Sequence, residues 1–83
     1  MPRFFFHIEN ANYTSDDTEG FDLPSVEIAC LEARKTIGEI ITDELADGRN
    51  DIPVTVRIRN EQGETVADLA VLTRVTSSNP TRT

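Results

Sequence analysis

Three kinds of apolar spacing divide the chain. From Val54 to Arg59 the pattern alternates strictly, so that Val54, Val56 and Ile58 share one face of a strand. The stretch Glu64 to Leu72 alternates as well. Ala67, Leu69 and Val71 fall on one side, and Val66, Asp68, Ala70 and Leu72 on the other. Asn60-Glu61-Gln62-Gly63 between them is a tight hairpin connection, with glycine free to take a positive φ. From Ser25 to Gly48 the period changes to that of a helix. Val26, Ala29, Cys30, Ala33, Ile37, Ile40 and Ile41 then lie in one stripe about 120° wide, with Glu32, Lys35, Glu39 and Asp43 away from it. Ser25 after Pro24 is a natural N-cap, Glu27 in the first turn suits the positive end of the helix dipole, and Asp47-Gly48 is a natural stop.

The third kind is the run Phe4-Phe5-Phe6 inside a strand predicted over residues 3–9. Three consecutive phenylalanines break the alternation of a half-buried strand. Asn10-Ala11-Asn12 supplies turn chemistry, and Tyr13 to Asp22 holds room for a short return strand bent at Gly20. The predicted fold is α+β, in the order β-β-α-β-β: one domain over residues 1–75, an antiparallel sheet and a helix across one face. Thr76 to Thr83 is polar and aperiodic and is expected to be a disordered tail.

One helix covers one face of a sheet. Phe4, Phe6 and Ile8 are assigned to that face, which turns Phe5 and His7 to the other. There Phe5 joins Thr55, Arg57, Arg59, Val66, Ala70 and Leu72. An apolar patch rimmed by polar groups on so small a domain is the mark of an interaction site. The simplest partner is a second copy of the chain, so the expectation is a homodimer formed through the open sheet face, with binding residues Phe5, His7, Arg57, Arg59, Val66, Ala70 and Leu72. The competing accounts shield Phe5 with the Tyr13–Leu23 loop or the C-terminal tail, or leave it as one of the scattered apolar residues normal on any surface.

Composition narrows the function. Fifteen acidic residues against eight basic ones give a net charge of −7, the wrong sign for tracking phosphates or an anionic membrane surface. The expectation is a partner that is neither nucleic acid nor membrane. One cysteine excludes an internal disulfide and fits a reducing compartment. The N-terminus has no apolar run of signal-peptide length, so the expected location is the cytoplasm.

Candidate chemistry is sparse. His7, the single histidine, is a general base only if carboxylates of the acidic loop fold back beside it, and that defines the alternative reading of a small-ligand-binding or catalytic domain. Cys30 falls within the buried helix stripe and across the sheet from His7, so it reads as a small hydrophobe and not as half of a dyad. Asp16, Asp17 and Glu19 suggest a cation. Yet an EF-hand frame with Gly20 at its sixth position puts Ser15 first and Val26 twelfth, where carboxylates are required. Phosphate-loop, dinucleotide and hydrolase-elbow signatures are missing, and no cofactor is expected. The sequence names no reaction.

The opening M-P-R-F-F-F-H, the segment E-G-F-D-L-P, the alanine-containing helix after it and the strand pair around N-E-Q-G-E resemble a family of small bacterial proteins defined by a domain of unknown function. The likeness spans roughly residues 1–72 and draws attention to Arg3, Phe4, Phe5, Phe6, His7, Glu19, Gly20, Leu23 and Pro24. It implies a stand-alone domain and carries no catalytic role.

Overall fold

The computed structural model describes residues 1–76. Beyond Thr76, the predicted tail lies outside the described residues. The elements are β1 (Arg3–Asn10), β2 (Thr14–Asp16), β3 (Phe21–Asp22), α1 (Val26–Ala46), β4 (Asp51–Arg59) and β5 (Thr65–Arg74). All strand pairs are antiparallel, in the order β2-β1-β4-β5, with β3 beside β2 on the same edge of β1. This is the expected α+β fold, with the return strand split in two. Asp17 to Gly20 separate its halves, because Asp17 Oδ1 accepts the N–H groups of Glu19 (3.1 Å) and Gly20 (2.9 Å) and turns the chain out of the ladder.

α1 starts and stops where its caps dictate. Ser25 Oγ accepts the Ile28 N–H at 3.2 Å. At the other end Gly48 takes φ +84°, its N–H donates to the Leu45 carbonyl, and the Arg49 N–H donates to the Glu44 carbonyl, the paired bonds of a Schellman stop. The helix lies over β4 and β5. Ala29, Ala33 and Ile37 press onto Ile52, Val54, Val56 and Ile58, with Phe4 and Phe6 of β1 completing the core. The phase expected for β1 is the phase observed. Each of the four aliphatic β4 side chains is almost fully buried, contributing about 1.5–3 kcal/mol.

Three details depart from expectation. β4 begins at Asp51 and so includes Pro53, which stands just past the end of the β1 ladder at Asn10↔Val54 and therefore removes no hydrogen bond. Val26 is exposed, although it falls within the predicted stripe. The register of β5 slips between Ile58↔Ala67 and Arg59↔Thr65, leaving Val66 as the extra residue of a bulge. Val66 consequently packs against the core, which corrects its assignment to the outer face.

One buried charge fastens the bottom of the molecule. Glu44 is 7% exposed. It receives Asn12 Nδ2 on Oε2 (2.6 Å) and Arg49 Nε on Oε1 (2.9 Å), tying the β1–β2 turn to the end of the helix. Glu44→Ala removes both of these charge-assisted hydrogen bonds at once and is expected to lower stability by about 1–3 kcal/mol, read as a reduced urea midpoint with unchanged slope.

Candidate functional site

The sheet face turned away from α1 is ordered by register. Asp16, His7, Arg57 and Asp68 stand side by side across β2, β1, β4 and β5. His7 Nδ1 donates to Asp16 Oδ1 at 2.7 Å, and Arg57 Nε donates to Asp68 Oδ1 at 3.0 Å, so acid and base alternate in two pairs along one row. The neighbouring row holds Phe5 opposite Arg59. Further along β5, Ala70 stands opposite Thr55 and Leu72 opposite Pro53, and both are exposed. Of the outer-face residues expected from the sequence, Phe5, His7, Arg57, Arg59, Ala70 and Leu72 do share a face, and Val66 does not join them.

Phe5 is not at the centre of an open patch. It is half-buried, because the turn from Asp17 to Gly20 folds over one end of its ring. Gly20 has φ +79°, and a Cβ there would sit 2.7 Å from Arg3 Cγ and 2.9 Å from Phe5 Cε2. Arg3 clamps the same segment. Its Nε and Nη2 donate to the two carboxylate oxygens of Asp22 (3.0 and 3.3 Å), and its Nη1 donates to the Glu19 carbonyl (3.0 Å). The Leu23 N–H donates to the Pro2 carbonyl at 3.0 Å. The M-P-R-F-F-F stretch and the E-G-F-D-L-P stretch are thus two halves of one interlock. The hydrogen bond from Arg3, with its charge, holds the Asp22 carboxyl below its ordinary value of 3.8.

The inner face carries a second feature. α1 covers β4 and β5 but leaves the β1 side partly open, and a cleft of about 190 Å³ remains there. Phe6, Ile8, Phe21, Leu23 and Val56 line it, with Glu32 and Thr36 on the helix wall. Phe21 and Phe6 meet edge to face at 5.7 Å. Sequence reasoning placed no cleft here, although Phe21 and Leu23, two apart in E-G-F-D-L-P, are spaced to share one side of an extended segment.

The acidic loop does not converge. Asp16 holds His7, Asp17 caps its own turn, and the Glu19 carbonyl receives Arg3. Among the described residues, no group of three or more His, Cys, Asp or Glu side chains is placed to hold a metal ion. His7 does have a carboxylate partner, but Cys30, the chain's one thiol, packs against the core from α1 on the other side of the sheet.

Fold and surface together define a small α+β domain with one helix-covered sheet face and one open face. The chain belongs to the family described as Domain of unknown function (DUF6894), whose model matches residues 3–73. No curated protein and no solved structure matches it. No helix among the described residues is long and apolar enough to cross a membrane.

The interlock makes Gly20 hard to replace. Gly20→Ala is expected to cost about 1–3 kcal/mol, from the positive φ and the close approach to Arg3 and Phe5, and clearly more than Gly63→Ala, whose φ is +80° but whose Cβ would meet open space. Because Asp22 titrates lower in the folded than in the unfolded chain, its contribution is complete above the ordinary carboxylate value and disappears as pH falls through the folded one. Urea midpoints are therefore expected to drop more for wild type than for Asp22→Asn between about pH 5 and about pH 2, by a small, salt-screened amount.

Proposed function

We propose that this domain is a non-enzymatic protein-interaction module of the cytoplasm that works as a homodimer, using the sheet layer that α1 leaves open. One observation carries the reading. Over β4 and β5 the outer face offers exposed Ala70 and Leu72, the latter 61% exposed, beside the paired charges of Arg57 and Asp68. Apolar side chains set within a polar row are what a self-complementary contact uses, since each patch meets its own copy across a two-fold axis. Phe5, His7, Arg57 and Arg59 extend the same surface toward β1 and supply polar and aromatic groups for specificity. An acidic-loop enzyme centred on His7 is less well supported. Its carboxylates point to separate tasks, and the one thiol is across the sheet.

Phe5 lies under Gly20, so a charge introduced there tests folding as much as binding. Leu72 is the better probe. Light scattering across a dilution series is expected to give twice the chain mass for wild type, and the monomer mass for Leu72→Glu with an unchanged far-ultraviolet circular dichroism spectrum. Losing Leu72 burial removes about 1.5–3 kcal/mol per copy, enough to raise the dimer Kd by at least about tenfold. A wild type that stays monomeric at the highest concentration overturns the homodimer.

A further inference from the structure

The outer strand β5 has a free side whose chemistry can be read residue by residue. Val75 N–H donates to the Asn50 carbonyl at 2.7 Å, which fixes the phase of the β4–β5 ladder. In an antiparallel pair, hydrogen-bonded and non-hydrogen-bonded positions alternate. Counting back from Val75, the backbone groups of Thr73, Val71, Leu69 and Ala67 therefore turn toward β4. Those of Arg74, Leu72, Ala70 and Asp68 turn outward, to an edge where β5 has no neighbouring strand among the described residues.

We propose that this edge pairs antiparallel with β5 of a second copy about a two-fold axis at Val71, and that the two α1 helices meet above the joint. The proposal rests on the homodimer reading but seats the contact on the β5 edge, which Ala70 and Leu72 border, and leaves Phe5, His7 and Arg59 of the open face outside the joint. With the axis at Val71, Asp68 stands opposite Arg74 of the second copy, Ala70 opposite Leu72, and each outward-turned backbone group has a partner. Shifting the axis to Ala70 sets Asp68 against Leu72, and shifting it to Leu72 sets Arg74 against Ala70. The Val71 register alone places both charges opposite their complements, and it also puts the exposed Leu72 against a small apolar residue. Inside the chain Asp68 already holds Arg57, and Arg74 holds Asp51 at 2.8 Å, so the pairing joins two existing ion pairs into one alternating row across the axis.

The helix supplies an independent observation. Leu31, Arg34, Gly38, Ile41 and Leu45 recur at alternating steps of three and four, the spacing of a helix–helix seam. Leu31 is 59% and Leu45 43% exposed, which a lone helix over a sheet does not require. Arg34 and Gly38 border the same hollow as Leu69, Ala70 and Val71, so this seam flanks the free edge. A Cβ built on Gly38 meets nothing within 4 Å, leaving room for a close approach. Geometry agrees. With strands about 4.8 Å apart and α1 lying over β4 and β5, two-fold pairing sets the helix axes about 10 Å apart, close to the 8–10 Å of packed helices.

Facing residues of a non-hydrogen-bonded pair have Cα atoms about 4.5 Å apart, within the reach of a disulfide. In a Cys30→Ser background, Val71→Cys is expected to oxidise to a covalent dimer at least about tenfold faster than Thr73→Cys, whose counterpart across the axis is Leu69. Independently, Asp68→Asn and Arg74→Gln are each expected to raise the dimer Kd severalfold, and the double variant to raise it by clearly less than the product of the two. If light scattering gives a dimer but Val71→Cys links no faster than Thr73→Cys and the effects of Asp68→Asn and Arg74→Gln simply multiply, β5 pairing is overturned and the homodimer stands on another surface. A chain that is monomeric throughout the dilution series overturns both.

Discussion

An α-helix with its side chains is about 10–12 Å across, whereas the β2-β1-β4-β5 path spans about 19 Å at about 4.8 Å per strand. One helix therefore shields half of one face, and the sequence assigns it to the half that most needs shielding. β4 carries Ile52, Val54, Val56 and Ile58, the four largest fully buried side chains, and α1 sits over it and β5. What the helix cannot reach accounts for the other notable surfaces. The inner side of β1 is finished by Phe21 and Leu23, leaving the cleft. On the outer face the Asp17–Gly20 turn is spent on Phe5.

The N-terminal interlock makes sense of two stretches that look unrelated along the chain. β3 is two residues long and could not hold its place on β1 through backbone pairing alone. Arg3 adds hydrogen bonds to both oxygens of Asp22 and to the Glu19 carbonyl, and Gly20 permits contact that any side chain would block. The matched family model runs from residue 3 to residue 73 and so includes both partners. Arg3 and Gly20 thereby have a structural reason for being what they are, without any appeal to chemistry performed on a ligand.

Much of this architecture is legible in residue order because local and global preferences agree. Strict alternation at Val54, Val56 and Ile58, the 3.6-residue recurrence of Ala29, Ala33 and Ile37, and the caps at Ser25 and Gly48 each point to the element that forms. The same alternation hides the bulge. A one-residue slip in the ladder sends Val66 to the core and leaves Ala70 and Leu72 where simple counting puts them. Glu44 was equally hidden, because a carboxylate within a helical stripe looks like a polar residue at the helix end until Asn12 and Arg49 are seen to reach it from distant segments. Ile52 is masked by Pro53, whose harmlessness depends on where β1 stops. On the outer face, residue order supplied the membership of the surface. The pairing of His7 with Asp16 and the cover over Phe5 needed the third dimension.

The turn between β2 and β3 has an effect at a larger scale than the residues it touches. It interrupts one border of the sheet with a protruding Asx turn and leaves pieces of three and two residues on either side, too short and too broken to template another strand. A sheet with two continuous borders can add copies without end and grow into a fibre. A sheet with one can be joined once and is then closed. With its first border broken by the four residues Asp17 to Gly20, the sheet keeps one continuous border among the described residues, and strand addition through a single border ends in a finite particle.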